Sequence, residues 1–104
     1  MSERVAGVGD VPEGTLVRFE FQGSHIAIGN VGGSFYAVDD ACTHMGCPLS
    51  DRPLDGTTAL CHCHGSQFDV TNGEVVTGPA RRPLPSYPVE VVGDDLMVDA
   101  PSGD

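Results

Sequence analysis

Cys42-Thr43-His44-Met45-Gly46-Cys47 and Cys61-His62-Cys63-His64-Gly65-Ser66 together hold all four cysteines of the chain and three of its four histidines. Two ligand pairs stand out within them, Cys42-x-His44 and Cys61-x-x-His64. The stretch between the pairs, Met45 to Leu60, is long enough for an antiparallel return, so two loops can face each other. Each loop then offers one thiolate and one imidazole. Such a set can hold a single tetrahedral metal, since two thiolates and two imidazoles are a familiar zinc set, or a small iron–sulfur cluster.

The segments outside these boxes read as strands. Leu16-Val17-Arg18-Phe19-Glu20-Phe21 alternates apolar and polar residues, the period-two mark of a half-buried strand. Gln22-Gly23-Ser24 turns the chain into His25-Ile26-Ala27-Ile28-Gly29-Asn30-Val31, and Gly32-Gly33 turns it again into Ser34-Phe35-Tyr36-Ala37-Val38. Near the other end, Tyr87–Val92, Gly93-Asp94-Asp95 and Leu96–Asp99 predict a strand, a turn and a strand. Shorter strands are expected at Thr58–Leu60, Gln67–Asp69 and Gly73–Val76. No sustained helical period occurs anywhere. The expectation is an all-β chain: an antiparallel sandwich or barrel base over about residues 1–38 and 85–104, carrying a loop-rich subdomain over about 39–84.

Composition sets the outer limits. The chain has 104 residues, with 15 acids against 5 bases, all arginine, and a formal net charge of −10. A surface this acidic repels phosphate backbones and anionic lipid, so nucleic acid and membrane surfaces are not expected partners. With 14 glycines, 8 prolines and no tryptophan, the core is modest and calls for a staple such as a metal or a disulfide. Met1-Ser2-Glu3-Arg4 opens without a basic and apolar leader, and no apolar run is long enough to span a membrane. The expectation is one cytoplasmic domain, 1–104, monomeric, with a frayed tail at Asp99–Asp104.

The two boxes resemble the cluster-binding boxes of Rieske iron–sulfur proteins. The likeness extends to Gly78-Pro79-Ala80, with Pro83-Leu84 after it, which is similar to the proline-containing loop that covers the cluster in that family. It spans residues 39 to 84, and the flanking strands suit the family's β-base. The resemblance implies one 2Fe–2S cluster held by Cys42 and Cys61 on the inner iron and His44 and His64 on the outer. Neutral imidazoles in place of two thiolates make the core easier to reduce, raising potentials from about −400 mV to roughly −150 to +300 mV.

Further assignments follow from the same resemblance. In the subfamily of the respiratory and photosynthetic cytochrome complexes, cysteines at the places of Cys47 and Cys63 form a disulfide. Closing that loop of about 17 residues would stabilise the chain by about 3 kcal/mol. That subfamily also has a serine where Ser66 stands, donating to a bridging sulfide, and usually a tyrosine where this chain has Phe68. One donor kept and one missing imply an intermediate potential. His62 occupies a place where proline is common; a solvated loop histidine is its plain reading. His25, on a base strand, reads as structural. Arg52, Arg81, Arg82, Asp39, Asp40, Asp51 and Asp55 read as solvated surface charge around the cluster loops.

Rieske domains occur as membrane-anchored subunits, as the entry domain of oxygenases and as free ferredoxins. The first needs a membrane helix and the second a mononuclear iron site with two further histidines; neither is legible here. The resemblance therefore implies a stand-alone ferredoxin, an electron-transfer protein and not an enzyme. Its donor would be a flavoprotein ferredoxin reductase using NAD(P)H, and its acceptor a terminal oxygenase of the ring-hydroxylating type, each docking transiently at the histidine tip. The competing readings are an accessory redox subunit of another oxidoreductase, as in nitrite reductases, and a zinc-stabilised interaction module.

Overall fold

A computed structural model describes residues 3–41, 47–50, 53–61, 65–78 and 82–99. Ten strands and one 3-10 turn make up the regular structure of these residues. Strands β2 (Leu16–Phe21), β3 (Ser24–Val31) and β4 (Ser34–Asp39) form an antiparallel meander, in unbroken register from Leu16↔Gly29 to Phe21↔Ser24 and from Ile26↔Asp39 to Val31↔Ser34. Both of its turns have two central residues at positive φ, Gln22 and Gly23 (52° and 82°) and Gly32 and Gly33 (58° and 95°). That backbone matches the twist of paired strands, which is why two-residue links suffice here.

The meander has core on both sides. Leu16, Ala27 and Val38 face a cluster containing Leu49, Ala59, Cys61, Phe68, Val70 and Leu84. Phe21, Ile26, Ile28 and Ala37 face Ala6, Val11, Leu96 and Val98 on the other side. This double cover explains the run of five buried residues, Ile26 to Asn30, in the middle of β3. Alternation survives in β2, at the sheet edge, and fails in the strand covered on both faces.

A second sheet, in the order β1-β10-β9, packs on one face of the meander: β1 (Glu3–Gly7), β10 (Asp95–Val98) and β9 (Val89–Val92). The third sheet joins β5 (Thr58–Leu60), β6 (Gln67–Asp69) and β7 (Val75–Thr77) in that order. All pairings are antiparallel, as the all-β expectation requires. No helix among the described residues is long and apolar enough to cross a membrane.

Three expectations need correction. The predicted strand Tyr87–Val92 is two strands in two sheets: β8 (Ser86–Tyr87) pairs with β4, and β9 pairs with β10. Pro88 separates them; it has no N–H to give to a ladder, and its carbonyl instead accepts from Asp99 N at 3.0 Å. The short strand expected at Gly73–Val76 is shifted to Val75–Thr77. Strand β1 was not expected, since Glu3-Arg4-Val5-Ala6-Gly7 lacks clean alternation; its register slips between Arg4 and Ala6.

Candidate metal centre

The second box closes a hairpin. Leu60 pairs with Gln67 at the end of β5 and β6, and the ladder continues beyond the strands: Cys61 N donates to Ser66 O at 2.8 Å, and Gly65 N donates to Cys61 O at 2.9 Å. Cys61 lies two residues after Ala59, on the same face of the strand. Both are buried in the core with Phe68, which pairs directly across from Ala59. The small alanine leaves room for the ring, and Cys61, Ser66 and Phe68 are each fully buried.

A strap of chain lies over this hairpin. Gly78 has φ of 107°, and a Cβ there would stand 2.5 Å from Ser66 Cα and 3.1 Å from Gly65 O. Only glycine lets the backbone rest this closely on its neighbour. The two ends of the segment from Gly73 to Leu84 also meet, where Leu84 N donates to Gly73 O at 2.7 Å and a Cβ on Gly73 would meet Leu84 O at 2.2 Å. Pro79, the next residue after Gly78, lies outside the described residues.

The first box is flanked by a carboxylate clasp. Asp40, 1% exposed, follows β4, and its N–H donates to His25 O at 3.1 Å. Its Oδ1 accepts from Leu49 N at 2.8 Å and from Ser50 N at 2.9 Å, and its Oδ2 accepts from Ser50 Oγ. Arg18 Nε stands 3.0 Å from the same Oδ2. Beside it, Asp39 accepts a hydrogen bond from the Tyr87 hydroxyl. Burial, reinforced by that bond and by the Asp39 charge, holds the Tyr87 proton well above the ordinary tyrosine range.

These two aspartates overturn the expectation of solvated surface charge: both are satisfied by donors from other elements, and Asp40 is buried. Arg82 and Asp55 are exposed, as expected; Arg52, Arg81 and Asp51 lie outside the described residues. The His25 side chain is exposed, and its carbonyl carries the link to Asp40. Of the expected site residues, the structure gathers Cys47, Cys61 and Phe68 around one core, with Ser66 opposite Cys61 at the loop end of the hairpin. Cys42, His44, His62, Cys63 and His64 lie outside the described residues. Asp40 and Gly78 were missed as site residues; a carboxylate two positions before a ligand pair carries no mark of its burial, and Gly78 was noted only as part of a motif.

The described part of the site suits an iron–sulfur group. Cys61 is a fully buried thiol outside any disulfide, placed where a thiolate ligand would be shielded from water. The glycine contact of the strap then covers the hairpin that carries it.

Comparison with known proteins agrees. The family described as Rieske [2Fe-2S] domain matches residues 2–88. The 3-phenylpropionate/cinnamic acid dioxygenase ferredoxin subunit of Escherichia coli (strain K12) is 41% identical over 95 residues, covering 90% of this chain and 89% of that protein. A chain of the complex of reduced oxygenase and oxidised ferredoxin in carbazole 1,9a-dioxygenase superposes with a TM-score of 0.91 at 32% identity, covering 99% of this chain and 97% of that one. The ferredoxin of carbazole 1,9a-dioxygenase from Nocardioides aromaticivorans IC177 gives a TM-score of 0.91 at 27% identity, covering 98% and 99%. By sequence and by fold, this chain belongs to the Rieske 2Fe–2S domain family and carries one such cluster.

Proposed function

We propose that this chain is a Rieske-type ferredoxin that carries single electrons from an NAD(P)H-dependent flavoprotein reductase to a terminal oxygenase of the ring-hydroxylating type. The observation that carries this reading is the match along nine-tenths of both chains to a dioxygenase ferredoxin subunit. The likeness to a chain of an oxygenase–ferredoxin complex supports the acceptor. Cys42, His44, Cys61 and His64 hold the cluster. When bound, that group takes up and returns one electron, at a potential that its two imidazole ligands raise.

The chain's own residues shape the site around it. Cys61 supplies a thiolate from the dry end of the β5–β6 hairpin. Ser66, whose carbonyl accepts from Cys61 N across the hairpin, supplies a hydroxyl donor beside that ligand, and Phe68 fills the place of a second donor without supplying one. Pro79 covers the cluster from the strap that Gly78 anchors. Cys47 and Cys63 form the disulfide that ties the boxes together, a reading supported by the packing of Cys47 against the same core as Cys61. The protein acts as a single cytoplasmic domain and a monomer, with the cluster region over about 39–84 and the β-base over about 1–38 and 85–104. Its net charge of −10 favours partners that are basic at their docking sites.

The purified protein is expected to be red-brown when oxidised and, after reduction with dithionite, to show a rhombic iron–sulfur EPR signal. It should accept electrons from NAD(P)H only with a flavoprotein reductase and pass them to a ring-hydroxylating oxygenase. A colourless protein with stoichiometric zinc and no acid-labile sulfide would overturn the reading.

A further inference from the structure

The Asp40 carboxylate sits at a place where charge is costly. It is 1% exposed, yet the polar groups that meet it among the described residues are all donors: two backbone N–H groups, a serine hydroxyl and a guanidinium. This is the complement of an ionised carboxylate. The carboxylate and its loop donors stand on opposite sides of the first box. Asp40 stands two residues before Cys42, while Leu49 and Ser50 stand two and three residues after Cys47. One side chain therefore closes the loop that carries Cys42 and His44. Arg18, on β2, ties the same carboxylate to the base sheet.

We propose that the Asp40–Arg18 pair positions the first cluster box and biases the reduction potential through its charges. The proposal rests on the reading that Cys42 and His44 are cluster ligands. Two residues of chain span at most about 7 Å between Cα atoms, so even with both side chains pointing apart the Asp40 charge stays within roughly 15 Å of the first ligand's sulfur. A buried negative charge at that range opposes addition of an electron, and a positive charge favours it. Asp40 is fully dry, whereas the Arg18 side chain is 47% exposed. Water screens the arginine more strongly, so the carboxylate dominates the field of the pair. The pair thus holds the loop and leaves a net negative bias at the cluster. This adds to the missing donor at Phe68, and both lower the potential.

The test uses holoprotein of the wild type, Asp40→Asn, Arg18→Gln and the double variant. Midpoint potentials are read by film voltammetry at one pH and ionic strength, alongside EPR spectra and the rate of bleaching by a chelator. The expected result is a higher potential for Asp40→Asn, a smaller shift in the opposite direction for Arg18→Gln, and a double variant between the two. The EPR signature should persist in all of them. Asp40→Ala, which orphans buried donors that asparagine can still satisfy in part, should bleach about tenfold faster than wild type. A pair that only props up the loop would shift the potential the same way whichever partner is removed. Shifts of one sign in both single variants, or no shift in either, would overturn the proposal. Arg18 is half exposed, so its variant remains readable even if the Asp40 variants fold poorly. A wild-type protein without the iron–sulfur spectrum would instead overturn the ligand assignment on which this rests.

Discussion

The base and the cluster region of this protein are stabilised in different ways. In the base, three strands of six to eight residues pair in continuous register and bury apolar faces on both sides. Its order comes from many equivalent contacts, none of which is individually decisive. In the cluster region the strands are three residues each. Order there comes from a few specific pins: the Cys61–Ser66 ladder, the Gly78 contact, the Gly73–Leu84 contact and the Asp40 clasp. A ligand loop needs exact placement of a few atoms, and small sheets cannot supply that by burial alone.

The largest expected effect breaks this comparison most directly. Cys61→Ser should abolish the visible spectrum and remove hydrogen-exchange protection from residues 61–78, while β2–β4 remain protected. Simultaneous loss of protection in both regions would show one cooperative unit and erase the distinction. Phe68→Ala comes next, since the ring is fully buried between Ala59 and Val75. Denaturant unfolding should show a loss of about 3–5 kcal/mol. The companion change Phe68→Tyr is expected to raise the potential if its hydroxyl reaches a ligand sulfur; destabilisation with no change in potential would remove that assignment.

Gly78→Ala tests a pin without touching the core. The added Cβ would collide with Ser66 Cα at 2.5 Å, and the backbone is at positive φ. A loss of about 1–3 kcal/mol is expected, with faster chelator bleaching, because the strap must lift to relieve the clash. The smallest effect belongs to the seam between the regions. Tyr87→Phe deletes the bond to Asp39 but keeps the edge-on packing on Phe21, whose ring centroid lies 5.7 Å away. The cost should be about 1 kcal/mol in thermal or denaturant unfolding. The folded wild type keeps a phenolic proton that the unfolded chain gives up near pH 10. This contribution is therefore complete below that pH and fades as pH rises above it. The variant should lack that alkaline decline.

The base was legible because its signals are local. The Gly32-Gly33 turn, the alternation of Leu16–Phe21 and the apolar run of β3 each announce a strand or a turn within a few residues. The short strands on either side of the second box, Thr58–Leu60 and Gln67–Asp69, were legible for a similar reason, and the resemblance of the boxes to the Rieske family implied the chemistry. The break at Pro88 was written in the sequence but read past, because alternation on either side of it suggested one strand. Strand β1 was hidden by its charges and its slipped register.

Periodicity and turn residues were thus sufficient for the all-β class, while the cluster and the ligands expected to hold it came from the resemblance of the two boxes to the Rieske family. Periodicity and ligand chemistry act over a few residues, and a linear reading captures them. Only the tertiary structure decided that Ser86–Tyr87 and Val89–Val92 belong to different sheets, that Gly78 rests on Ser66, and that Asp40 is a buried clasp. Each of these depends on a partner at least nine residues away, Arg18 and Leu49 for Asp40 and Ser66 for Gly78. Whether a carboxylate is solvated or stapled is a property of what folds over it, and no pattern in its own neighbourhood records that.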